Sequence, residues 1–254
     1  AGANASSYVQ AGTFTGTFAN VGSVSIPYYK ELTTVAAANK YGFYRTNRAG
    51  YHQRYLGFEL SATKRMSDRW MARFGFASTS WNEYFDDRSA SIYDQTPTPT
   101  SPLQDGGPVV ISSSGSGKSG LYLVAPKYQM TANGLYQGPM GIDFGANMVM
   151  RQGYAEPWFR SRVATGDPNG SNKTLLLASS ADATRLPTVV SLDARVEKRF
   201  NIQKTNLSVM FDVFNLTNTA TTLGIQYDAR LGTYGNVLEI MNPRIARLGI
   251  RFNF

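Results

Sequence analysis

The feature that most restricts the fold is a long, strict alternation of oily and polar side chains that recurs along the chain. From Tyr55 to Thr63, Leu56, Phe58, Leu60 and Ala62 alternate with Gly57, Glu59, Ser61 and Thr63. Trp70, Ala72, Phe74 and Phe76 then alternate with Met71, Arg73, Gly75 and Ala77, and the sequence from Ile142 to Arg151 repeats the pattern with Phe144, Ala146, Met148 and Met150 on the oily side. Val190, Leu192, Ala194 and Val196 oppose Ser191, Asp193, Arg195 and Glu197; Leu207, Val209, Phe211 and Val213 oppose Ser208, Met210, Asp212 and Phe214. The chain ends on Leu248, Ile250, Phe252 and Phe254 with Gly249, Arg251 and Asn253 between them. Successive strand residues point to opposite faces, so each stretch is apolar on one face and polar on the other. Helical periodicity is nearly absent.

With a less regular strand at Leu121 to Met130 and a last one from Arg244 to Phe254, seven strands are readable, and SVSIPYYKEL near the start is an eighth candidate. The connections near 64–69, 131–139 and 198–205 are short, the second holding the turn-forming pair Asn133, Gly134; those near 83–118, 154–186 and 216–242 are long and rich in turn residues. Short and long connections in strict turn predict an all-β, up-and-down antiparallel sheet with every long loop on one side. Residues 1–52 are then an extended external segment with one strand, and residues 53–254 the wall and its loops.

Two environments accept such strands. A water-soluble sandwich uses strands of about 5 or 6 residues, whereas a membrane strand tilted about 45° needs about 9 to 11, which suits the alternation here. The charges agree: Glu59, Arg73, Asp143, Arg151, Asp193, Arg195, Glu197, Asp212, Arg247 and Arg251 all fall on the polar face, and the oily face carries none until the strand ends. A charge facing lipid at mid-depth costs roughly 2–4 kcal/mol. The expectation is therefore a transmembrane β-barrel wall, with those ten residues facing the lumen.

Composition removes other classes. The 254 residues contain no cysteine, which excludes disulfides and thiolate metal sites, and one histidine, His52, around which any catalytic triad or histidine metal site would have to be built. The formal charge of +8 comes from scattered Lys and Arg, without the basic stripe that nucleic acid requires. No run of about 18 apolar residues encodes a membrane helix. The start AGANASSYVQ has neither a basic nor an apolar block, as in a fragment or processed product. PVVISSSGSGKSG at 108–120 imitates a phosphate-binding loop, but Ser112 stands where the first glycine belongs. Asp86, Asp87 and Glu83 match no calcium loop. No catalytic constellation emerges, no cofactor is implied, and the chain reads as a non-enzyme. Tyr84, Phe85, Tyr93, Trp158, Phe159 and Tyr227 lie in or beside the long connections, where they suit either stacking on an external ligand or loop packing.

Three stretches, DVFNLTN at 212–218, MNPRIARLGIRFNF at 241–254 and NRAGYHQRYLGFELSATKRMSDRWMARFGFA at 47–77, resemble the C-terminal barrel portion of TonB-dependent outer-membrane receptors, especially the large Oar-like kind. The resemblance implies a bacterial outer-membrane location and uptake of a bulky nutrient such as an oligosaccharide, peptide or metal chelate. It implies as partners outer-membrane lipid, the remaining barrel strands and a plug, an inner-membrane energy-coupling complex, and the barrel-assembly machinery, which reads the terminal row Leu248, Ile250, Phe252 and Phe254. A small closed barrel with a structural or adhesive role and a soluble β-sandwich binding module are the alternatives.

Overall fold

The computed structural model describes residues 8–38, 51–85, 99–101, 109–110, 119–121, 126–164, 166, 168, 172–178, 183–202 and 205–253. In chain order the elements are β1 (Tyr8–Phe18), β2 (Gly22–Glu31), a short helix α1 (Thr33–Ala38), β3 (Tyr51–Ser67), β4 (Trp70–Phe85), β5 (Pro99–Ser101), β6 (Val109–Val110), β7 (Ser119–Leu121) and β8 (Tyr128–Gln137). They continue with β9 (Ile142–Arg151), β10 (Phe159–Ala164), β11 (Asn172–Leu176), β12 (Val189–Ile202), β13 (Thr205–Phe214), β14 (Thr222–Ile225), β15 (Val237–Ile240) and β16 (Ile245–Asn253).

Seven of these strands form one antiparallel meander in the order β16, β13, β12, β9, β8, β4, β3, with β7 added beside the loop end of β4. Among the described residues the sheet is open, with β3 and β16 as its edges, and no closed barrel is formed. Tight turns join β3 to β4, β8 to β9 and β12 to β13 at one end, and the long connections leave from the other. The alternation has the expected phase in the strands on which it was read, because a register slip of one residue would swap the two faces.

Two features differ from the sequence expectation. The strand expected at Leu121 to Met130 lies at Tyr128–Gln137, so Asn133 and Gly134 are mid-strand, paired with Asn147 and Ala146. The turn falls instead at Pro139–Gly141, where Met140 and Gly141 take φ of 57° and 72°. Tyr136 prolongs the oily row beyond Gly134, and that burial pattern outweighs the local turn preference of Asn-Gly. SVSIPYYKEL forms a strand, but it pairs with β1 in a separate hairpin and adds nothing to the wall.

The packed core sits away from the sheet, among the long connections. Trp158, Leu177 and Tyr227 are buried together, and Phe14, Phe18, Val24 and Ile26 of the β1–β2 hairpin pack against them with Ile225 and Tyr234. The connections 152–188 and 215–244 and the N-terminal hairpin thus form a folded cap rather than separate loops.

Candidate functional site

The sheet has two unlike faces. On one, register lines up Trp70, Tyr136, Phe144, Val196, Phe211 and Leu248 as a single row across six strands. A row of small residues, Ala72, Gly134, Ala146 and Ala194, runs beside it, and Phe74, Ala132, Met148 and Leu192 form the next. Among the described residues no second sheet or helix covers this face: Leu248 and Ile250 are each 69% exposed and Phe58 59%. Half-exposed aromatic side chains present on the order of 100 Å² each, so these rows exceed the few hundred Å² of apolar patch that a soluble monomer shows.

Among the described residues the charges on this face belong to Lys64 and Lys198, both near the tight turns, and to Arg54 at the loop end of β3. Lys64 Nζ donates to Ser67 Oγ at 2.6 Å and to the Ser67 carbonyl at 3.1 Å, and lies 4.1 Å from the Trp70 ring centre. Lys198 Nζ donates to the Met140 carbonyl and lies over the Phe200 ring. Each ammonium thus reaches past the oily rows to the turn backbone, laying its methylene stem along the apolar surface.

The other face holds the ten residues expected there. Asp212 is opposed by Arg195 on one neighbouring strand and by Arg247 on the other. Its carboxylate accepts from Arg195 Nε at 2.5 Å and from Arg247 Nη2 at 2.8 Å, and its side chain is only 6% exposed. Glu197 stands directly opposite Asp143, a like-charge pairing that Arg199 relieves by bonding Asp143. Asp193 accepts from Ser191 Oγ and from the Asn215 backbone N–H. Arg151 stacks on Tyr154 at 4.1 Å. Glu59 and Arg73 point to the same face from β3 and β4, and Arg251 from β16. Cross-strand ion pairing accounts for β12, β13 and β16, while the polar face of β3, β4 and β8 is largely unpaired.

The DVFNLTN segment closes the neck of the last long connection. Asn215 and Asn218 both take left-handed backbone, with φ of 49° and 53°, a region that asparagine tolerates better than most side chains. Asn215 Nδ2 donates to the carbonyls of Thr219 and Asn242, and Asn218 Oδ1 accepts from the Arg244 backbone N–H. One short segment therefore ties together the two strands of the connection where they leave the sheet.

The aromatic candidates in the connections separate. Trp158 and Tyr227 are 3% and 1% exposed and meet edge to face at 5.1 Å, so both rings are spent on the cap's own core. Phe159 packs against that core, and its backbone pairs with Tyr227 and Ala229. Tyr84 and Phe85 end β4, opposite His52 and Tyr51. Tyr93, Phe254, Asp86 and Asp87, with most of 108–120, lie outside the described residues. Sequence reasoning missed Glu156, which bonds Thr184 and interacts with Tyr227; burial raises its pKa above the ordinary value and the Thr184 hydrogen bond offsets part of that rise. Burial, and secondarily the nearby Glu156, also raises that of Tyr227. No group of three or more potential metal ligands occurs among the described residues.

No protein-family model matches the chain, and comparison with curated proteins returned no match.

Proposed function

We propose that the chain is part of the wall and outer loops of a bacterial outer-membrane β-barrel of the TonB-dependent receptor kind, taking up a bulky nutrient. The observation that carries this reading is the pair of faces: uncovered oily rows on one side, and on the other a charged and polar surface whose two buried carboxylates, Asp143 and Asp212, are both paired with arginine. From Val190 to Phe200 the oily face of β12 runs over eleven residues, which at ten residue steps is about 33 Å along a strand, or about 23 Å at the tilt of a membrane strand. That is close to the apolar band of about 25 Å that outer-membrane barrels present. Trp70, Tyr136, Phe144, Phe200 and Phe252 lie toward the tight-turn end and Phe58 and Tyr128 toward the loop end of the oily face, in keeping with the two aromatic girdles of such barrels.

In this reading the tight turns face the periplasm and the cap faces outward. The edges of β3 and β16 pair with the remaining barrel strands, since unpaired backbone in lipid costs several kcal/mol per group. The terminal row through Leu248, Ile250, Phe252 and Phe254 addresses the assembly machinery, and a plug and an inner-membrane complex drive transport. The chain itself catalyses nothing and binds neither cofactor nor nucleic acid. A soluble sandwich would need a second sheet over the oily rows, and the described residues offer none.

The test uses a variant that keeps only Trp70, with Trp81→Phe and Trp158→Phe, folded into vesicles of brominated phosphatidylcholine. Strong quenching of Trp70 is expected. A water-soluble monomer whose fluorescence ignores the bromines would end the membrane reading.

A further inference from the structure

On the polar face, β3, β4 and β8 build a block of directly opposed positions: Glu59, Ala77 and Gln129 in one row, Ser61, Gly75 and Thr131 in the next. The central strand supplies the two smallest side chains and the outer strands supply hydrogen-bonding ones. The result is an open dent of about 430 Å³, walled by a carboxylate and a hydroxyl on one side and an amide and a hydroxyl on the other. Gly75 keeps its floor low, since a Cβ there would come within 3.1 Å of Thr131 Oγ1. Among the described residues, no hydrogen bond or ion pair occupies the side chains of Glu59, Ser61, Gln129 or Thr131, in contrast to the paired charges on β12, β13 and β16.

We propose that this dent is a subsite for one ring of a neutral saccharide, which rests on the transport reading and names its cargo class. The hydrogen-bonding inventory decides the class. A carboxylate only accepts, and hydroxyls and an amide both accept and donate, which matches the paired donor and acceptor character of adjacent sugar hydroxyls. The only charge within these two rows is the Glu59 carboxylate, which repels a phosphate or an acidic chelate. Arg151, beyond Gln129, is stacked on Tyr154, and Arg73 lies one row toward the turns. Leu60 and Phe76, which also line the dent, alternate to the opposite face of their strands. The volume lies at the low end of the roughly 300–1,000 Å³ of ligand pockets, as suits one unit of a longer ligand.

Calorimetric titration of the full chain in detergent micelles with maltohexaose, cellohexaose and xylohexaose tests the proposal, with oligogalacturonate and hexa-alanine as charged and peptide probes. At least one neutral sugar should bind, tenfold or more weakly to Gly75→Leu and Gln129→Leu, and within twofold of the parent to Asn147→Leu. If Gly75→Leu does not fold, Gln129→Leu and Thr131→Val carry the test. Absence of sugar binding, binding indifferent to these changes, or preference for either control probe would overturn it. Trp70 quenching on the same preparation separates the two readings: quenching kept without sugar binding removes only the subsite, whereas lost quenching removes the membrane reading beneath it.

Discussion

Asp212 is the residue on which three strands agree. Its carboxylate is nearly covered, while its partners Arg195 and Arg247 keep 44% and 59% of their side chains exposed. Exposure of the arginines discounts the ion pairs themselves, but removing the carboxylate leaves two guanidinium groups facing each other across β13. Asp212→Ala should cost about 1–2 kcal/mol, read as a lowered urea midpoint, and Asp212→Asn less, since it keeps one acceptor. Glu156 makes a second residue-scale prediction. Its pKa is raised in the folded cap, so the folded state binds its proton more tightly than the unfolded chain does. Cap stability should therefore be greatest below the ordinary carboxylate value of 4.5 and fall as pH rises through the raised value. Protease protection of the 152–188 connection across that range would show it, and Glu156→Gln should flatten the profile.

Among the elements, the β3–β4 hairpin turns on Asp68 and Arg69, with φ of 50° and 68°. Aspartate tolerates that region and arginine does so at a cost of about 1 kcal/mol. Arg69→Gly should thus raise stability by up to about that amount in an equilibrium unfolding measurement, leaving the bond from Gln137 N to the Arg69 carbonyl in place. The wall strands were legible because their alternation is long and one face must avoid charge. β8 was misread because Asn133-Gly134 carries a hairpin signature, yet those residues continue the register set by β4 and β9. The β1–β2 hairpin left a readable trace in Phe14, Gly16 and Phe18 alternating with threonines before Asn20-Val21-Gly22. Nothing local announced that its phenylalanines would pack on the cluster of Trp158, Leu177 and Tyr227, some 140 residues and more further on; that packing depends on two connections and the hairpin folding against one another. The dent on β3, β4 and β8 was equally hidden, since Gly75 and Ala77 look like weak spots in a strand until register sets Gln129 and Thr131 beside them.

For the whole molecule, the two faces make a paired prediction. Ala146 and Asn147 are neighbours in β9 that point opposite ways. Ala146→Arg should cost roughly 2–4 kcal/mol in a lipid bilayer and sharply reduce the folded fraction in vesicles, whereas Asn147→Arg should leave it nearly unchanged. Equal tolerance of both would mean that neither face meets hydrocarbon.

The N-terminal hairpin precedes β3, the strand at one margin of the sheet, yet it lodges in the cap raised from connections at the sheet's centre and opposite margin. On the loop side, then, side-chain packing, with no shared ladder among the described residues, fastens the hairpin to connections from the other half of the sheet. Loosening Phe14 or Phe18 should therefore release the hairpin from the cap while every hydrogen-bonded pair within the wall stays intact, so that the cap can come undone and the wall persist.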